Sequence, residues 1–185
     1  YGVARAKLQN IAKGADDSDI DWLLVEVTGK KRSELQALKT LTKTEFDNAE
    51  VIAKKMADGT PLQYALGYCE FYGIKISVNK NVLIPRPETE ELVEKAITVI
   101  KGKQTQCDVL DLCTGSGAIA ISIAHYCKNS RVTATDISPK ALNIASKNAN
   151  KNNVNIEFIE SNLFNQLKDK HFDVILSNPP YIETD

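Results

Sequence analysis

The 185-residue chain has few of the residues that bind metals or form disulfides. It contains two histidines, His125 and His171, and four cysteines, none of which forms a C-x-x-C pair. Most zinc sites and redox dithiols show such spacings, so the sequence predicts no metal site. Unpaired thiols are typical of a reducing compartment, and the cysteines therefore indicate a cytoplasmic protein.

The sequence also lacks an excess of charge and long apolar runs. Lys and Arg number 23 and Asp and Glu number 24, which leaves a net charge of −1. Proteins that grip many phosphates usually carry a basic excess, so direct nucleic acid binding is disfavoured, although a local basic patch would still fit the total. No apolar run approaches the ~20 residues that cross a bilayer, so no membrane partner is expected.

Residues 1–60 lack the alternating apolar pattern of β-strands. Their apolar residues recur at helical spacing, from Ile20 to Val27 and from Phe46 to Met56. This periodicity predicts a small bundle of helices in residues 1–60.

Two finer predictions concern the helical part. Ser18 or Asp17 can cap one helix and Thr44 another. Trp22 is the only tryptophan, and we expect it to anchor the core of the bundle. The alternative is an exposed residue that binds a partner.

The remaining chain changes pattern twice. Residues 61–84 contain an alternating segment around Gly73, which predicts a β-hairpin linker. From residue 85 to 185, strand patterns alternate with helix patterns, including a helix that Ser138 can cap. This alternation predicts a doubly wound, Rossmann-like α/β sheet. The predicted helices span about residues 88–100, 118–126 and 138–150, and the predicted strands lie near residues 109, 132–136, 156–159 and 174–176.

Three of the predicted strands end in residues suited to ligand binding. One runs into the glycine loop Asp111–Gly117, one ends at Asp136, and one ends at Asn178-Pro-Pro-Tyr181. Ligands of an open parallel sheet bind at the carboxyl ends of its strands, so these segments should line one crevice. The prolines carry no N–H group, which leaves nearby carbonyls free to accept hydrogen bonds from an NH2 group.

The glycine loop by itself is weak support for a function. Gly115 and Gly117 allow a ligand to approach the backbone, and Asp136 follows at the spacing of about 20 residues at which an acid binds ribose hydroxyls. A dehydrogenase, a methyltransferase and a bare strand-to-helix turn all fit this pattern. The amide-binding turn at Asn178 favours methyl transfer, since hydride transfer has no use for it.

Four segments together resemble the peptide-chain release factor glutamine methyltransferases. They are residues 61–73, residues 82–90, Asp111–Gly117 and Phe172–Ile182, of which Ile84-Pro-Arg-Pro-Glu-Thr-Glu90 is the most discriminating. The resemblance implies a class I methyltransferase sheet, S-adenosylmethionine as methyl donor and the glutamine of a Gly-Gly-Gln tripeptide in class 1 release factors as acceptor. It also implies that the helical domain binds the substrate protein.

The resemblance assigns roles to particular residues. Asp136 would bind the ribose hydroxyls and Leu163 would border the adenine. Asn178 and the carbonyl of Pro179 would accept hydrogen bonds from the substrate NH2 group. The residues implied for the methionine part of the cofactor are Cys113, Thr114, Gly115, Ser116 and Gly117, and those implied for the substrate amide are Asn178, Pro179, Pro180 and Tyr181. Asn178 is implied to contact the cofactor as well.

The chain departs from the family pattern at two positions. Cysteine at position 113 replaces the usual glycine, so we expect a negative φ there. Asn162 replaces an aspartate and keeps only the hydrogen-bonding shape. Both changes concern cofactor affinity.

Positioning should carry much of the catalysis, because an amide nitrogen is a poor nucleophile that no side chain deprotonates at neutral pH. We therefore expect His125 and His171 to be structural.

Two other functions remain open. An adenine amino group in DNA would fit the same turn, and a non-catalytic binding module would use only the helical part. A seven-stranded sheet would need about three further strands, so the native protein is expected to be longer by about a hundred residues.

Overall fold

The computed structural model describes residues 1–180 and divides into two units, of which the first is Tyr1–Gly67. This helical unit buries one apolar cluster, to which every one of its helices contributes. Its elements are α1 (Gly2–Ile11), α2 (Asp17–Thr28), a 3-10 helix (Arg32–Ala37), α3 (Lys43–Met56) and α4 (Leu62–Leu66).

The prediction that Trp22 anchors the core is wrong. Its side chain is 51% exposed, and the guanidinium of Arg32 lies 5.8 Å from the centre of its ring. Helix geometry gives the reason, since α2 buries Ile20, Leu23 and Leu24. A residue two positions from Ile20 and from Leu24 faces nearly the opposite side of a 3.6-residue helix.

Two predicted helix caps differ from the observed ones. Asp16, rather than Ser18 or Asp17, caps α2 by accepting hydrogen bonds from the backbone N–H groups of Ser18 and Asp19. Thr42, rather than Thr44, caps α3. Its hydroxyl accepts from Glu45 N, and the Glu45 carboxylate accepts from Thr42 N at 2.6 Å. Both caps have extended backbone conformations, which is the geometry that a capping side chain requires.

The second unit begins at Tyr68 and contains a hairpin followed by alternating helices and strands. The strand pairing order of the larger sheet is β5-β4-β3-β6, and all its pairs are parallel. The predicted parallel α/β sheet is therefore confirmed. The elements are β1 (Tyr68–Phe71), β2 (Ile74–Ser77), α5 (Thr89–Lys101), β3 (Cys107–Leu112), α6 (Ala118–Tyr126), β4 (Ser130–Asp136), α7 (Pro139–Lys151), β5 (Glu157–Glu160) and β6 (Val174–Ser177).

The two units meet in the sequence at Gly67, whereas the sequence patterns suggested divisions at residues 60 and 84. Leu62 and Ala65 of α4 are buried in the helical core, which explains why residues 61–67 belong with the first unit. The antiparallel hairpin of β1 and β2 belongs to the second unit. Within residues 1–180, no helix is long and apolar enough to cross a membrane.

The register of the strands determines where ligands can bind. Leu112, at the end of β3, pairs with Thr135 of β4 on one side and with Ser177 of β6 on the other. The three strands thus end at the same level, and the segments that follow them leave the sheet at one edge.

Candidate active site

The glycine loop follows β3 and leads directly into α6. Gly117 precedes the helix with φ +84°, and a Cβ at this position would lie 3.0 Å from the Cβ of Ala145 on α7. Gly115 has φ +55° with no atom within 4 Å of the position that a Cβ would occupy. The two glycines therefore differ: Gly117 allows α6 to pack closely against α7, and Gly115 leaves open space at the sheet edge.

The expectation of a negative φ at Cys113 is wrong. The residue has φ +62°, in the left-handed region that disfavours a Cβ. The chain must turn sharply after Leu112 so that Thr114 N can donate to Thr135 O at 2.9 Å, across to β4. Cys113 keeps the backbone shape that suits glycine and packs its side chain against the apolar cluster of Leu110, Leu112 and Leu167. Burial raises the pKa of its thiol.

A buried carboxyl group at the end of β3 forms hydrogen bonds with this loop and with the start of α6. Asp111 is 1% exposed, and its Oδ2 accepts hydrogen bonds from Thr114 Oγ1 at 2.5 Å and from Ala120 N at 3.1 Å. Its Oδ1 is buried and has no hydrogen-bond partner among the described residues. Desolvation raises the pKa of Asp111 to about 7, against the lowering effect of its two hydrogen bonds.

Asp136 lies at the end of β4, beside the glycine loop. Its Oδ2 accepts from Gly115 N at 2.9 Å and its Oδ1 from Ser138 N at 2.9 Å. Each carboxylate oxygen has a further lone pair, so the side chain can still accept hydrogen bonds from a ligand. Ser138 also caps α7, as predicted.

Leu163 lies in the loop after β5. Its φ is +49°, its side chain is 53% exposed, and its carbonyl accepts a hydrogen bond from Ser161 Oγ. Ser161 N donates to the Asp136 carbonyl at 3.0 Å, which brings this loop to the end of β4.

In the turn after β6, Asn178 lines two adjoining cavities, and Pro179 and Pro180 line the larger of them. The smaller cavity, of about 60 Å³, lies against Cys113, Thr114, Gly115 and Ser116. The larger one, of about 340 Å³, is lined by Pro179, Pro180 and the segment around Arg86 and Glu88. Leu83, Thr89 and Asn178 line both cavities. Tyr181 lies outside the described residues.

The structure therefore brings the predicted loop, Asp136, Asn178 and the prolines to one edge of the sheet. Leu163 and Asp136 line neither of the two cavities. His171 lines a third cavity with Asp108 and Arg131, near the amino ends of β3 and β4. His125 lies in the last turn of α6.

Sequence reasoning assigned no role to three residues that hold the site together, although two of them, Thr89 and Glu90, belong to the segment that resembles the family most clearly. Asn148 on α7 is fully buried and binds both strand and loop: its Oδ1 accepts from Ser77 N, and its Nδ2 donates to the carbonyls of Ser77 and Ser116, all at 2.9 Å. Glu90 accepts from Tyr72 N at 2.9 Å, and Thr89 accepts from Asn178 Nδ2 at 3.0 Å. A polar residue among alanines on α7 was the available signal for Asn148.

The chain matches two family models. The methyltransferase small domain matches residues 92–185, and the PrmC N-terminal domain matches residues 3–67. Two solved structures share the fold over part of this chain. They are a SAM-dependent methyltransferase from Agrobacterium tumefaciens, with TM-score 0.52 and 20% identity over 61% of this chain and 39% of that one, and a Thermus thermophilus 16S rRNA N2 G1207 methyltransferase, with TM-score 0.53 and 20% identity over 62% and 32%.

Curated relatives carry the name release factor glutamine methyltransferase. The one from Lactococcus lactis is 45% identical over 150 residues, which are 81% of this chain and 52% of that protein. The one from Borreliella burgdorferi is 43% identical over 183 residues, or 94% and 62%. The chain thus spans about half the length of the curated relatives it matches.

These relatives confirm the family resemblance drawn from the motifs, and their names support neither the DNA adenine alternative nor the non-catalytic one. The family model with the longer match covers half of the chain, including the strands that carry the glycine loop, Asp136 and Asn178. On this match, the chain belongs to the methyltransferase small domain family.

Proposed function

We propose that this chain forms the cofactor-binding and amide-positioning part of an enzyme that methylates the glutamine of the Gly-Gly-Gln tripeptide in class 1 release factors. The observation that carries the proposal is the place of Asn178, on the wall shared by a cavity at the glycine loop and a larger cleft beside the two prolines. A side chain that lines both cavities can hold a methyl acceptor in one of them against a methyl donor in the other. The names of the relatives support the choice of substrate.

The residues at the sheet edge fit S-adenosylmethionine. The open space at Gly115 accepts a close ligand, and the carboxylate of Asp136 can bind ribose hydroxyls while it holds the Gly115 N–H group. The 60 Å³ cavity is far below the roughly 300 Å³ of a whole ligand pocket, so it would hold only part of the cofactor, at Cys113, Thr114 and Ser116. The nucleoside would lie along the exposed edge by Asp136 and Leu163. When bound, the cofactor supplies an electrophilic methyl group on a sulfonium.

The substrate amide would be held by acceptors alone. Asn178 Oδ1 and the carbonyl of Pro179 accept the two N–H groups of the glutamine side chain. Pro179 and Pro180 carry no N–H group, so their backbone offers the substrate amide only acceptors. Holding both hydrogens turns the nitrogen lone pair toward the methyl group and favours a pyramidal nitrogen. Such orientation can supply roughly 7–11 kcal/mol of a barrier in well-aligned systems.

Methylation of the amide nitrogen requires no general base. Neither His125 nor His171 lines either of the two cavities beside Asn178. The nitrogen loses its proton after methylation, when its acidity is much higher, and water can accept it. Electrostatic stabilisation of the positive nitrogen by Asn178 Oδ1 and the Pro179 carbonyl then replaces acid–base catalysis.

The helical unit would bind the release factor. Its residues 3–67 match the PrmC N-terminal domain, and it has its own buried core, so it can present a rigid surface to a protein partner. The free thiols, three of them buried, suit the reducing cytoplasm in which release factors act.

Tyr181 would pack beside the substrate amide, as the resemblance implies.

The first experiment is a calorimetric titration of the 185-residue chain with S-adenosylmethionine. We expect binding that Asp136→Ala weakens at least tenfold and that Asp169→Ala, which removes an exposed carboxylate near the other end of the sheet, leaves unchanged.

The second experiment measures transfer of a labelled methyl group by the full-length protein. The acceptors are a release factor, the same factor with its Gly-Gly-Gln glutamine changed to alanine, and adenine-containing DNA. Label on the native release factor alone supports the proposal. Label on DNA, or equal label on the two release factors, would refute it.

A further inference from the structure

We propose that Thr89 is a positioning residue that holds the Asn178 amide in place with its oxygen toward the substrate. The Asn178 Nδ2 group donates to Thr89 Oγ1 at 3.0 Å, and both residues line the smaller cavity at the glycine loop and the larger cavity beside the prolines. Thr89 is the first residue of α5, and Asn178 directly follows β6. The inference deepens the proposed function, on which it rests.

An asparagine side chain has a donor end and an acceptor end that exchange places when χ2 rotates by half a turn. The torsion is broad and roughly two-fold, so the side chain by itself prefers neither arrangement strongly. A substrate NH2 group can be bound only by the oxygen end, because two N–H groups repel each other. The methyl acceptor is therefore recognised only when the Asn178 NH2 group is directed elsewhere.

In the structure, the Thr89 hydroxyl accepts a hydrogen bond from the Asn178 NH2 group, and Asn178 Oδ1 has no donor among residues 1–180. The oxygen is thus available to a ligand that enters from the cleft. Ser177, just before Asn178, is itself fixed by its hydroxyl, which donates to Leu112 O at 2.9 Å.

The start of α5 is held firmly enough for this task. Thr89 N donates to Arg86 O at 3.0 Å and Glu90 N to Pro87 O at 2.9 Å, which closes a turn ahead of the helix. The next side chain, Glu90, accepts from Tyr72 N at the hairpin, and the Tyr72 carbonyl accepts from Tyr126 OH on α6. The residue that follows Thr89 is therefore tied to the hairpin, and the hairpin is tied to α6, which limits the movement of Thr89 beside Asn178.

The test compares Thr89→Val, Thr89→Ser and the wild type in the full-length protein, with a release factor as methyl acceptor. Valine keeps the branched shape but removes the hydroxyl, and serine restores it. We expect Thr89→Val to lower kcat about 10- to 100-fold, because a misoriented acceptor loses alignment. Thr89→Ser should recover most of the activity. Thr98→Val is the matched control, since Thr98 is exposed on the same helix and its hydroxyl bonds only to Glu94 O in the structure.

Two further readouts separate positioning from other roles. Calorimetric affinity for S-adenosylmethionine should change less than threefold in Thr89→Val, because the hydroxyl acts on the acceptor side. A loss of cofactor affinity equal to the loss of kcat/KM would overturn the proposal, as would a Thr89→Val enzyme as active as Thr98→Val or a Thr89→Ser enzyme as impaired as Thr89→Val. A wild-type protein that fails to label the release factor would instead contradict the proposed function.

Discussion

Replacing Asp111 by asparagine should favour stability more at pH 8 than at pH 5, when the variant is compared with wild type at the same pH. The Asp111 carboxyl is 1% exposed, and burial raises its pKa from 3.8 to about 7. An acid whose pKa is raised by folding costs stability above its unfolded pKa, since the unfolded chain releases the proton first. The wild type therefore loses stability as pH rises from about 4 to 7.

The magnitude follows from the shift. Each pKa unit corresponds to 1.36 kcal/mol, so the full cost of keeping Asp111 buried above pH 7 is ~4 kcal/mol. Asparagine does not titrate and can present its oxygen to the same two donors, Thr114 Oγ1 and Ala120 N. Its NH2 group would then occupy the place of the unpartnered Oδ1, at a cost of about 1–3 kcal/mol that does not depend on pH.

The assay is urea unfolding, followed by circular dichroism, at several values between pH 5 and 8. The stability of Asp111→Asn minus that of wild type should rise by about 3 kcal/mol over this range and level off above pH 7. Asp47→Asn, at an exposed position on α3, corrects for the general effect of removing a carboxylate. A difference that stays constant with pH would refute the reasoning.

Two further predictions concern the glycine loop. Cys113→Gly should be about 1 kcal/mol more stable to thermal unfolding than Cys113→Ala, because both lack the sulfur and only alanine keeps a Cβ at φ +62°; a more stable alanine variant would contradict the backbone assignment. Gly117→Ala should cost roughly 2–4 kcal/mol in urea unfolding, because a Cβ would meet Ala145 at 3.0 Å in addition to the strain at φ +84°. Gly115→Ala, with open space around its Cβ, should cost only the backbone part, and equal losses at both glycines would count against this packing.

Local patterns predicted most of the second unit. The helix expected over residues 118–126 is α6, and the strand expected near residues 174–176 is β6. Such segments combine an apolar run with a clear stop, so neighbouring residues determine their conformation. The Ser138 cap was predictable for the same reason, because a serine before Pro139 offers one obvious start for α7.

The sequence-based predictions were wrong at positions where several residues were suitable and the folded structure selected one of them. Trp22 is the largest side chain of α2, yet α2 turns Ile20 and Leu24 inward and leaves Trp22 beside Arg32. Asp16 caps α2 although Asp17 and Ser18 have suitable side chains, because its backbone is the one that is extended. Size and residue type did not decide these positions.

The sequence by itself determined the order of helices and strands, the parallel sheet and the three strand ends that carry polar residues, because each depends on spacing along the chain. Only the tertiary structure decided the contacts between segments far apart in sequence. Asn178 meets Thr89, 89 positions earlier, and Asn148 joins Ser77 to the loop at Ser116. The backbone at Cys113 also depends on β4, since its left-handed turn lets Thr114 bond to Thr135. Such contacts arise from packing, and no local pattern encodes them.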